Sequence, residues 1–136
     1  MVAPKLLEIG PELDDRIAGL RKSKGLIIDD CKEILSTHKF LMDTFYELTG
    51  LEKRSLASKY LHFHCPEKFF IYDSRARTGI GKLVKKSGKE LLKNVPDYDP
   101  EYGDFVCRMI ELQEYLDEQL GVYELPRKLD SFLLTA

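Results

Sequence analysis

The sequence predicts an all-α fold, one compact helical domain over residues 1–136. Two observations carry this. Apolar residues recur at three- and four-residue spacing along much of the chain, the period of helices that bury one face. Glycine and proline mark the joints between those runs. The one short apolar strap, Lys68 to Tyr72, is too short and too even in polarity to read as a sheet strand.

Taken in order, Pro11 suits the first turn of a helix, with Asp14 and Asp15 near its positive end, Arg21 and Lys22 near its close, and Gly25 as its stop. From Leu26 to Leu48 the apolar spacing predicts two helices with a break near Ser36 to Lys39. Thr49-Gly50 is punctuation. A helix from about Lys53 to His64 places Leu56, Ala57, Tyr60, Leu61, Phe63 and His64 on one side. Ser55, Lys59 and His62 share the other face. Pro66 ends that helix, because the residue before a proline disfavours helical angles.

Asp73-Ser74 opens a basic helix, SRARTGIGKLVKK, weakened by Gly79 and Gly81. Gly88 to Asn94 reads as a further helical turn. Asp99 is placed to cap a long amphipathic helix that Gly121 ends, and Pro126 opens a last short one. No repeat, low-complexity tract or linker divides the chain.

Composition supports a folded chain: 43% hydrophobic and 32% charged residues argue against disorder. No apolar run approaches the roughly 18 to 20 residues that span a bilayer. The start, MVAPKLLEIGPELDD, lacks the positive flank and apolar core of a signal peptide. Cys31, Cys65 and Cys107 are far apart and read as reduced, buried thiols, so the expected location is cytoplasmic.

The net charge of −2 hides an uneven distribution. Residues 52–93 hold eleven Lys or Arg against four Asp or Glu, whereas residues 94–136 hold three against ten. A basic middle points to an anionic partner, or to pairing with the acidic segment inside the fold.

Familiar chemical motifs are mostly absent. His62 and His64 are two apart, so on a helix they point about 200° away from each other and cannot chelate one ion. No metal is expected; His64 reads instead as a core histidine with a satisfied hydrogen bond. Gly79 and Gly81 lack the full spacing of a phosphate loop, and no hydrolase triad is spaced for recognition.

LTGLEKRSLASKYLHFHCPEKFFIYDSRAR, from Leu48 to Arg77, lies without a gap on a pattern of hairpin, helix, apolar strap and aspartate. That order resembles the helix-hairpin-helix superfamily of base-excision DNA glycosylases, with the helix-hairpin-helix-like segment at 40–77. SLASKYLHFHCP, IYDSRA and the terminal ELPRKLDSFL resemble more closely bacterial proteins related to 8-oxoguanine DNA glycosylases. The resemblance implies a DNA partner, with Gly50 and Leu51 facing a phosphate beside a bound monovalent cation. Lys53, Arg54, Ser55, Arg75 and Arg77 would complete the DNA contacts. Asp73 would stabilise charge on the deoxyribose as a flipped base departs, or activate a nucleophile.

The departures are equally specific. Thr49 stands for the usual hairpin proline and Glu52 for its second glycine. Arg54 stands where bifunctional members keep a Schiff-base lysine, and a guanidinium cannot act as that amine. Lys59 is the better substitute. Two functions follow: a DNA-binding protein that acts as a minimal glycosylase or lyase through Asp73 and Lys59, or a non-catalytic helical module for a protein partner. Asp73 itself has two readings, catalyst or simple helix cap.

Overall fold

A computed structural model of the chain describes residues 2–85 and 89–135. Among them, six α-helices and one 3₁₀ turn occur, and no strand. They are α1 (Val2–Lys22), α2 (Cys31–Thr49), α3 (Arg54–His64), α4 (Ser74–Leu83), the 3₁₀ turn Lys89–Leu92, α5 (Pro100–Leu120) and α6 (Pro126–Thr135). α2 packs against α1 and α3, while α4 packs against α5 and α6. The all-α expectation is met.

α1 begins well before Pro11, which sits exposed inside it. Proline removes one backbone donor there, yet Leu13, Ile17 and Leu20 recur on one buried face and hold the helix down. Asp14 and Asp15 therefore lie mid-helix, and the helix closes at Lys22, before Gly25.

α2 is one continuous helix, without the expected break. The apolar pattern lapses at Thr37 and His38 because these polar residues are themselves buried, at 1% and 0% exposure. Gly50 then adopts a left-handed φ of 71°, and its amide closes the helix on the Tyr46 carbonyl. Residues 26–30 form turns; Asp30 leaves the helix start uncapped because its carboxylate pairs with buried Lys68 at 2.6 Å.

The inward face of α3 differs from the expected one. Ala57, Ser58 and Leu61 are buried, whereas Leu56, Tyr60 and Phe63 are exposed, Phe63 at 80%. His64 is half-buried beside Tyr60 and Phe63, so the core histidine is His38.

After a turn at 66–68 the strap has no helix or strand, with Phe69, Phe70 and Tyr72 buried. Side chains satisfy its backbone where a sheet would otherwise be needed. The Ser58 hydroxyl accepts from the Tyr72 amide at 2.9 Å, the Tyr102 hydroxyl donates to the Phe70 carbonyl at 2.7 Å, and His62 Nδ1 meets the Phe69 carbonyl at 2.8 Å.

α4 ends at Leu83; Lys86 and Gly88, named in the sequence expectations, lie outside the described residues. α5 starts at its Asp99 cap and ends at Gly121 with φ 67°. All three cysteines are buried and free. No described helix is long and apolar enough to cross a membrane.

Candidate nucleic-acid interface

The hairpin between α2 and α3 turns on Gly50, followed by exposed Leu51 and Glu52. The Leu51 amide donates to the Thr49 hydroxyl at 3.1 Å, and that hydroxyl meets the Leu51 carbonyl at 3.4 Å. The Leu51 groups thus close on the turn itself, and the next residue, Glu52, carries a carboxylate. The residues present do not fit a shared cation and phosphate site.

Arg54, the residue at the lysine position, turns away from solvent. Its Nε and Nη2 donate to the two oxygens of Asp99 at 2.5 and 2.8 Å, a forked pair. Glu101 lies 3.4 Å from Nη1 and Glu52 3.6 Å from Nη2, and the guanidinium sits 5.8 Å from the Tyr72 ring centre. Hydrogen bonding to Asp99 raises the Arg54 pKa further. Burial alone would raise Asp99, but bonds from Arg54 and the Tyr102 amide hold it below the usual carboxylate range.

His38 lies behind this pair. Its ring stacks on Tyr102 with centroids 3.8 Å apart and planes 13° apart. Nε2 lies 3.2 Å from the Arg54 carbonyl, which can only accept, so Nε2 carries the proton. Burial pushes the His38 pKa down to about 4, so the ring is neutral at pH 7. Nδ1 is left buried without a hydrogen-bond partner.

Asp73 caps α4. Its backbone is extended, φ −147° and ψ 174°, and Oδ1 accepts the Ala76 amide at 2.8 Å. Asp130 of α6 stands within electrostatic range. Burial first, and Asp73 second, push the Asp130 pKa up, while His62 offsets them. Asp130 is too distant in sequence to have been linked with Asp73, and only the α4–α6 crossing brings them together.

The remaining expected contacts separate into two groups. Lys53 and Ser55 are half-buried at the start of α3, and Lys59 is exposed further along it, with no ion pair to Asp73. Arg75 and Arg77 are exposed on α4. From Ser74 to Lys85 there are four cations, Arg75, Arg77, Lys82 and Lys85, and no acidic residue. None of the four is ion-paired among the described residues.

One side of α4 faces a groove of about 560 Å³ shared with α5. Arg77, Gly81 and Lys85 line it from the α4 side, and Glu101, Asp104 and Arg108 from α5. Lys85 and Arg108 were not singled out in the sequence. Lys85 belongs to the basic stretch SRARTGIGKLVKK, but nothing local links Arg108 to it. No family model, curated protein or solved structure matches this chain.

Proposed function

We propose that this protein binds nucleic acid through the basic segment from Arg75 to Lys85, α4 and the residues just after it. The observation that carries the reading is the run of four cations without an acidic partner, starting directly after the Asp73 cap. The cations drawn into the fold pair with carboxylates instead: Arg54 with Asp99, Lys68 with Asp30 and Arg108 with Asp104. Exposed cations left free of such pairs suit a polyanion, whose phosphates release counterions when bound. Phosphate contacts of this kind set affinity and position rather than sequence preference.

The arrangement favours binding over Schiff-base lyase chemistry, since the lysine position holds a guanidinium already committed to Asp99. Fluorescence anisotropy on a duplex across a salt series tests the reading. Affinity falls steeply with salt, and Arg75→Ala with Lys82→Ala lowers the log–log slope by about 2. Salt-independent or absent binding overturns it.

Exposed Leu120, Val122 and Leu125 near the α5–α6 junction favour a second reading, a helical module for a protein partner. A stable co-purifying protein, together with absent DNA binding, selects that reading.

A further inference from the structure

The groove between α4 and α5 has features that general backbone binding does not require. Its acidic residues are engaged within the wall. Glu101 accepts the Tyr72 hydroxyl at 2.9 Å and lies 3.4 Å from Arg54, while Asp104 pairs with Arg108 at 2.8 Å. Arg108 also donates to the Val84 carbonyl, which ties it across to the end of α4. Of the cations that line the groove, Arg77 and Lys85 have no ion pair among the described residues.

The floor is open where it matters. A Cβ added at Gly81 meets nothing within 4 Å, so the absent side chain leaves room against the buried Ile80 and Phe105. A volume of about 560 Å³ exceeds the needs of a bare phosphate and falls in the range of small-molecule sites, roughly 300–1,000 Å³. Two free cations match a phosphomonoester, which carries about −1.5 to −2 charge at pH 7. An internal phosphodiester carries only one charge and needs no recess.

We infer that this groove receives the terminal phosphomonoester of a nucleic-acid strand, with Arg77 and Lys85 on the phosphate oxygens and the terminal sugar over Gly81. The inference rests on the nucleic-acid reading and assigns its substrate class: phosphate-ended strands.

The test measures affinity of the full chain for one oligonucleotide with 5′-phosphate, 3′-phosphate or hydroxyl ends. A phosphorylated end is expected to bind at least tenfold tighter than the hydroxyl form. Arg77→Gln with Lys85→Gln removes that preference. Gly81→Leu, whose side chain fills the groove from a helical position, removes it too without lowering the thermal melt. Arg75→Gln with Lys82→Gln weakens every oligonucleotide alike and leaves the preference standing. Equal affinity for all three ends overturns the groove assignment while the nucleic-acid reading survives. If no oligonucleotide binds, that reading fails, and titration with inorganic phosphate and a nucleoside monophosphate decides the groove alone. Binding of either that is lost in Gly81→Leu keeps it as a phosphate site for a small ligand, and no binding overturns it.

Discussion

Arg54 and Asp99 hold one another through two hydrogen bonds, of 2.5 and 2.8 Å, across 45 residues of sequence. The pair ties the first residue of α3 to the cap of α5, with side-chain exposures of 17% and 6%. Removing one partner from such a buried pair leaves the other charge stranded, at about 3–5 kcal/mol. Arg54→Met is expected to lose stability in that range by urea denaturation at pH 7. Because Asp99 sits below its ordinary value of 3.8 in the folded state, its contribution is present above that value and fades as pH falls through the lower folded one. Without Arg54, burial raises Asp99 instead, so the deficit of the variant shrinks as pH is lowered towards 4.

His38 makes stability fall in the same direction, at milder pH. Its folded pKa, about 4, lies below the ordinary 6.5, so the unfolded chain takes up the proton first. The loss of stability is absent above 6.5, grows as pH falls and levels off near 4, for a total of roughly 3 kcal/mol. His38→Gln removes that proton and should flatten the stability profile between pH 6.5 and 4. Denaturation midpoints measured across that window decide the matter; an unchanged slope sinks the assignment.

Two glycines in one helix respond oppositely to the same methyl group. Gly81 has open space around its Cβ direction, so Gly81→Ala should stabilise α4 by about 0.5–1 kcal/mol. At Gly79 the added Cβ lies 3.2 Å from the Leu133 carbonyl oxygen and 3.3 Å from its Cβ. Gly79→Ala must therefore push α6 away and should lower the melting temperature. A rise for both would show that the α4–α6 crossing is looser than described.

Asp73 separates capping from chemistry. Asp73→Ala is expected to cost about 1 kcal/mol, and Asp73→Asn only a few tenths, since asparagine also caps well. On duplexes carrying 8-oxoguanine, uracil or an abasic site, no borohydride-trapped adduct is expected, because position 54 offers no amine. A trapped adduct lost in Lys59→Ala would restore the lyase reading. Strand release lost in Asp73→Asn would give Asp73 a chemical role besides its cap.

What the sequence disclosed was local. The caps at Asp73 and Asp99 and the left-handed glycines at 50 and 121 are written in a few adjacent residues, and each stands where expected. α2 was misjudged because periodicity counts polar residues as exposed, while Thr37 and His38 are buried among partners from other elements. The outward turn of Phe63 was missed for the mirror reason, an apolar residue being taken for a core one. The forked Arg54–Asp99 pair, the Asp73–Asp130 neighbourhood and the α4–α5 groove arise from tertiary contact, and no spacing rule reaches them.

The strap from Cys65 to Tyr72 has a consequence for how the molecule comes apart. Its amides and carbonyls are held by Ser58 and His62 from α3 and by Tyr102 from α5, not by a neighbouring strand. Neither α3 nor α5 can lift away without stranding polar groups of the strap in the interior. The strap therefore acts as a seam sewn to two sides, and the Tyr72 amide should exchange with solvent only when the whole domain opens.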